Sequence, residues 1–248
     1  MKHLLIAILV LGTILNGCKE KDVITTGCIE CDEYEVRDTF SLDGIDYIVA
    51  DRGMLDDALQ NGEDLTKYCT SNVTDMKAMF FEDTSFNQDI GNWDVSNVTD
   101  MSFMFWYAES FNQNISRWSV SNVMDMSYMF REANSFNQDI GNWDVSNVTK
   151  MDGMLWNATS FNQDIGNWDV SGVTDMQGMF ASATSFNQDI GNWDVSNVTD
   201  MGVMFNGATL FNQDLTQWCV TNIDSEPLLF SYKGGLSPEN HPVWGTCP

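Results

Sequence analysis

One interval governs this chain. Phe recurs at 86, 111, 136, 161, 186 and 211, and Trp at 93, 118, 143, 168, 193 and 218, always 25 residues apart. Met pairs keep the same step at 76/79, 101/104, 126/129, 151/154, 176/179 and 201/204, and "FNQDIGNWDVSNVTDM" stands word for word at 86–101 and 186–201. Twenty-five residues are too few to bury a core of their own, so an array of separate domains is excluded. A period of this length without insertions predicts a solenoid, in which each copy covers its apolar face with its neighbours.

Within one copy the apolar positions are Phe86, Ile90, Trp93, Val95, Val98, Met101, Met104, Phe105 and Ala108. "FNQDIGNWDV" sets β-favouring residues among Gly, Asn and Asp, which predicts a short strand with bends. "NVTDMSFMF" has apolar spacings of three, three and one, which suits a helical or 3₁₀ turn opening at a Ser/Thr/Asp cap, with a second strand or an irregular turn as the alternatives for so short a segment. The expected fold class is therefore an α/β repeat solenoid with one short parallel strand and one short helical or 3₁₀ turn per repeat. "TFSLDGIDYIV" at 39–49 predicts a hairpin turning at Asp43-Gly44. "MLDDALQNG" after it predicts a helix with Met54, Leu55, Ala58 and Leu59 on one face and a C-cap at Asn61-Gly62. The organisation expected is a signal peptide over 1–17, a lipidated tether over 18–30, an N-terminal hairpin–helix cap over 31–68, repeats over 69–220 and a C-terminal cap over 221–248.

The first segment comes from "MKHLLIAILVLGTILNGC". It has a basic start, an apolar run too short to span a bilayer, and small residues before Cys18. It resembles a bacterial lipoprotein signal, which implies a lipid on Cys18 and an outer-membrane, surface-exposed protein held to the membrane through that anchor alone. The formal net charge is −25, which repels nucleic acid and anionic headgroups and leaves metal cations, basic proteins and neutral glycans as partner classes. "CIEC" at 28–31 has no second CxxC to complete a zinc site, so a structural disulfide is expected there. Cys69 and Cys219 each follow the aromatic of a terminal repeat. They are read as staples, Cys219 with Cys247, and Cys69 with Cys31 or Cys28.

The motif "VTDMSYMF…FNQDIGNWDVSN" resembles the bacterial surface-protein repeat lipoproteins, related to BspA-like proteins and distantly to leucine-rich repeats. The likeness covers about 69–230, entered through "YCTSNVTDM" at 68–76. It implies a right-handed, leucine-rich-repeat-like coil, Cys31 as the partner of Cys69, and a role in adhesion or binding. It implies no active site.

Candidate chemistry divides into what repeats and what varies. No Ser/His/Asp or Cys/His set is available, since His241 is the one histidine outside the leader, and the aspartates are the repeat itself rather than a local exception. A non-enzymatic protein is expected, without cofactor. Between 86 and 218 there are 16 acidic and three basic residues. Carboxylates stacked at about 4.8 Å repel by roughly 1 kcal/mol in water. The row Asp89, Asp139, Asp164, Asp189 and Asp214 must then be hydrated, capped by backbone N–H groups, or bridged by Ca²⁺; capping is the favoured reading and calcium the alternative. Asn87-Gln88 and its copies predict a buried amide ladder. The Trp row reads as core, or as a sugar-stacking platform if exposed. The variable positions fall together, between the Met pair and before the next Phe. They include Phe103, Trp106, Tyr107, Tyr128, Arg131 and Trp156. Aromatics and an arginine that change on a constant frame predict a recognition face for a protein or glycan ligand.

Overall fold

A computed structural model describes residues 28–248; Cys18 and the leader lie outside the described residues. The chain forms tandem repeats with a small sheet and few helices. The N-terminal sheet has three strands: β1 (Thr39–Leu42) pairs antiparallel with β2 (Ile45–Val49), which pairs parallel with β3 (Tyr68–Cys69). Asp43 and Gly44 turn the hairpin with φ of 51° and 80°, as the two left-handed residues of a tight turn require. Helix α1 (Arg52–Gln60) follows, with the Asp51 carboxylate capping the Met54 N–H. It buries Leu55 and Ala58 and leans Met54 and Leu59 on the core.

Where the sequence predicts a strand and a helical turn in every repeat, the structure has neither. Successive repeats share single parallel bridges, Asp75–Asp100–Asp125–Lys150–Asp175–Asp200. The Met-pair segment is a run of overlapping turns. Met104, Trp106 and Ala108 donate to carbonyls three residues back, while Met101, Phe103, Phe105 and Tyr107 donate to Asp125, Ser127, Met129 and Arg131 in the next repeat. The cause is backbone sign. Left-handed residues recur at 78/82, 103/107, 128/132, 153/157, 178/182 and 203/207, and a helix cannot continue through them. A turn bonded three residues back gives the same apolar spacing as a helix, which is why the pattern reads as one.

Side chains fill the stack in rows. The Phe105 and Phe130 rings lie 5.4 Å apart and 2° from parallel, and Trp118 and Trp143 stack at 6.4 Å. Every Trp of the repeat row is at most 4% exposed, and each indole N–H donates to a carbonyl of the preceding repeat, Trp118 to Ile90 and Trp143 to Ile115. The Trp row is core, and its platform reading is removed. The amide ladder forms, but at the surface. Asn112 N–H and Gln113 Nε2 both reach Asn87 Oδ1 at 3.0 Å, and the pattern repeats up to Asn212, where Ser237 and Asn240 end it. There it needs no burial, because each amide oxygen takes two donors from the next repeat.

Disulfides Cys31–Cys69 and Cys219–Cys247 tie the two ends. None of the described cysteines is free. Cys28 and Ile29, assigned from sequence to the tether, are buried, and the Ile29 N–H bonds to the Asn92 carbonyl. The packed domain therefore begins ahead of Cys31.

Candidate recognition face

The turn segments place one side chain per repeat in each surface column. Phe103 and Tyr128 share one column, Trp106, Arg131 and Trp156 the next, and Tyr107 lies beside them. All six are half-buried. The left-handed backbone at Phe103, Tyr107 and Tyr128, with φ of 63°, 61° and 57°, turns these side chains onto the surface. Such φ values are unfavourable for bulky residues and are held here by the bonds between repeats.

The guanidinium of Arg131 sits between two indoles, 4.8 Å from the Trp106 ring and 4.4 Å from that of Trp156. The Tyr128 ring is 5.6 Å away and itself stacks on Phe103 at 5.2 Å. Phe81, in the Trp106 column one repeat earlier, meets Trp106 edge-on at 5.2 Å; the shared column was the signal that could have added it. Glycines in the following repeats make room. A Cβ on Gly153 would stand 2.4 Å from the Tyr128 ring, and one on Gly178 would stand 2.8 Å from that of Trp156.

Polar demand in this face is unmet. Trp106 Nε1 and Arg131 Nε are buried without a hydrogen-bond partner, and Arg131 has no ion pair among the described residues. Because Nε is enclosed, the terminal nitrogens are the part of the guanidinium left to face outward. Burial, reinforced by the Asp152 charge, holds the Tyr128 hydroxyl above its ordinary range, so it is a neutral donor at pH 7.

The aspartate rows behave as turn caps. Asp89, Asp139, Asp164 and Asp189 each accept from the N–H of the glycine two residues on, and Asp214 from that of Thr216. Among the described residues no three His, Cys, Asp or Glu side chains lie close enough to hold a metal ion. In the bridge column Lys150 meets Asp125 at 3.2 Å. Burial works to raise the Asp125 carboxyl, yet the bonds from Ser127 and Lys150 outweigh it and hold the carboxyl below the usual range. Asp175, beyond Lys150, is pushed up by burial and by Asp152 and Asp200. A lowered carboxylate stabilises the fold above its unfolded pKa and loses that effect as pH falls through the folded value. Lys150→Met is thus expected to lower the denaturant midpoint at pH 7 by an amount that shrinks as pH falls through the folded-state titration of Asp125; a loss that stays constant with pH would show that the lysine acts through packing.

Fold and face together define a disulfide-closed tandem-repeat protein with a cation–π cluster at the positions where its repeats differ. The chain belongs to the family described as Mycoplasma protein of unknown function, DUF285, which matches twice, over residues 51–155 and 132–237. No curated protein and no solved structure matches it.

Proposed function

We propose that this is a cell-surface lipoprotein, anchored through Cys18 at the outer face of the cell, whose repeats form a leucine-rich-repeat-like solenoid of the BspA-like type and act as a non-enzymatic binding or adhesion module. One observation supports the reading: the six variable residues singled out in the sequence lie together on one face, with Arg131 packed between Trp106 and Trp156. Aromatic and arginine side chains ordered before binding lose little entropy on contact and are the residue types that dominate protein interfaces. The ligand class favoured is a protein surface. A sugar ring needs a free aromatic face to stack on, whereas the facing sides of Trp106 and Trp156 are filled by the guanidinium, and Phe103 and Tyr128 cover one another.

Surface plasmon resonance against purified host or neighbouring-cell surface proteins, beside a glycan array with and without EDTA, tests this. Trp106→Ala with Trp156→Ala is expected to weaken protein binding about tenfold to a hundredfold, with no sugar bound by the parent. Broad sugar binding lost in the double variant would transfer the function to a glycan reader, and hydrolysis of a polysaccharide would sink the non-enzymatic reading. Intact mass of the membrane-extracted protein tests the anchor. A thioether lipid consumes the Cys18 thiol, so an unlipidated Cys18 in a disulfide removes it.

A further inference from the structure

Across residues 76–82 and their equivalents the backbone bonds between repeats run one way, while the flanking Thr99 and Ser110 donate backward to Thr74 and Thr84. N–H groups of one repeat donate to carbonyls of the next: Met76 to Asp100, Ala78 to Ser102, Phe80 to Met104 and Glu82 to Trp106 at the start, Val203 to Leu228, Phe205 to Phe230 and Gly207 to Tyr232 at the end. The last segment keeps the same turns, since Phe230, Tyr232 and Gly234 donate three residues back, and Leu229 and Lys233 are left-handed with φ of 52° and 56°. Its crossing donors are therefore the N–H groups of Leu229, Ser231 and Lys233. No acceptor meets them among the described residues, and Leu228, Leu229 and Tyr232 around them are 78%, 43% and 54% exposed. The C-terminal cap holds the last repeat through the bonds of Val220 to Thr246 and Leu215 to Asn240. It meets this segment at side chains, Phe230 against His241 and Trp244 and the Ser231 hydroxyl against His241, leaving the three backbone donors unbonded among the described residues.

The opposite end carries the complementary row. The crossing acceptors of the first repeat are the carbonyls of Asp75, Lys77, Met79 and Phe81. Arg52, at the start of α1, donates from one terminal nitrogen to the Lys77 carbonyl at 2.9 Å and the Asp75 carbonyl at 3.3 Å, with its Nε fixed on Asp56 at 2.8 Å. The Met79 and Phe81 carbonyls meet no donor among the described residues.

We propose that these edges are docking surfaces for a second copy of this chain, joined head to tail, and that Arg52 is the stopper that limits the joining. Leu229, Ser231 and Lys233 of one copy would meet Lys77, Met79 and Phe81 of the next at the pitch already used between repeats. An exposed row of unmet backbone groups is a template for pairing, and proteins commonly block such rows with a charged side chain. The contact is heterologous, so each joined pair keeps a free edge at both ends onto which further copies can add.

Sedimentation equilibrium of the full chain at about 0.15 M salt, where most long-range repulsion between acidic copies is screened, provides the test. Arg52→Ala is expected to tighten self-association about tenfold, since the incoming donor no longer competes with the guanidinium. The amide protons of Leu229, Ser231 and Lys233 are expected to gain exchange protection in step. Leu228→Asp in the same background is expected to abolish both effects. Arg52→Lys serves as a second variant if alanine disturbs α1, because one ammonium on a flexible stem cannot reproduce the fork. Unchanged association in the Arg52 variants, with the slow amides of Met101, Phe103 and Phe105 reporting an intact stack, would overturn the proposal. So would association that survives Leu228→Asp or leaves the three terminal amides unprotected.

Discussion

Trp143→Ala is expected to cost about 3–5 kcal/mol, the range for emptying a large aromatic site in a packed interior. The ring is 4% exposed and sits in the middle of the array, stacked on Trp118 and beside Phe130 at 6.4 Å each. Most of the loss is the cavity. The hydrogen bond to Ile115 contributes less, roughly 1 kcal/mol, because that carbonyl keeps its bond from the Trp118 N–H. Trp143→Phe therefore falls well below the alanine variant. Because each repeat is supported only by its neighbours, a central cavity weakens two contacts between repeats at once. The comparison that decides is Trp156→Ala, on the half-buried face, expected to cost about 1 kcal/mol or less. Guanidinium titrations of the three variants read this directly. Equal losses for Trp143→Ala and Trp156→Ala would contradict the division into core row and variable surface face.

That division was largely legible in the sequence. Strict recurrence at 93, 118, 143, 168, 193 and 218 marked the Trp row as a shared environment, and change within the 106, 131 and 156 column marked the face. Stacking of Arg131 between two indoles follows from that column once repeats are in register. The hairpin and α1 were legible too, because Asp43-Gly44 and the apolar spacing of 54–59 are local signals. Backbone handedness was not. Phe103, Tyr107, Tyr128 and Val203 do not favour positive φ, and the bonds that hold them there come from residues 24 or 25 positions away. Gly153, Gly178, Asn157 and Gly207 in the same columns carried the hint. Reading those columns together would have separated overlapping turns from a helix, and with them the one-way ladder whose ends lie open.

Replacing both Cys219 and Cys247 by serine is expected to release the C-terminal cap without unfolding the repeats. The disulfide closes a separation of 28 residues, and loop-closure entropy puts its contribution at about 3.5 kcal/mol. Beside the bridge, the chain end is held by the bonds of Val220 to Thr246 and Gly245 to Ile223 and by the edge-on contact of Phe230 with Trp244 at 4.9 Å, while residues 237–241 keep separate bonds to Asn212, Leu215 and Ser231. The repeats keep their own support, since the Trp218 N–H bonds to Ile190 and the Phe205 ring lies 4.1 Å from that of Phe211. The loss should therefore appear as local opening rather than a shift of the whole transition. Hydrogen exchange separates the two outcomes: fast exchange at Val220, Gly245 and Thr246 with unchanged rates at Phe105 and Phe130 is expected. Uniform acceleration along the array would instead make the Cys219–Cys247 bond a support of the entire stack, and would mean that its end repeats cannot stand without a closed cap.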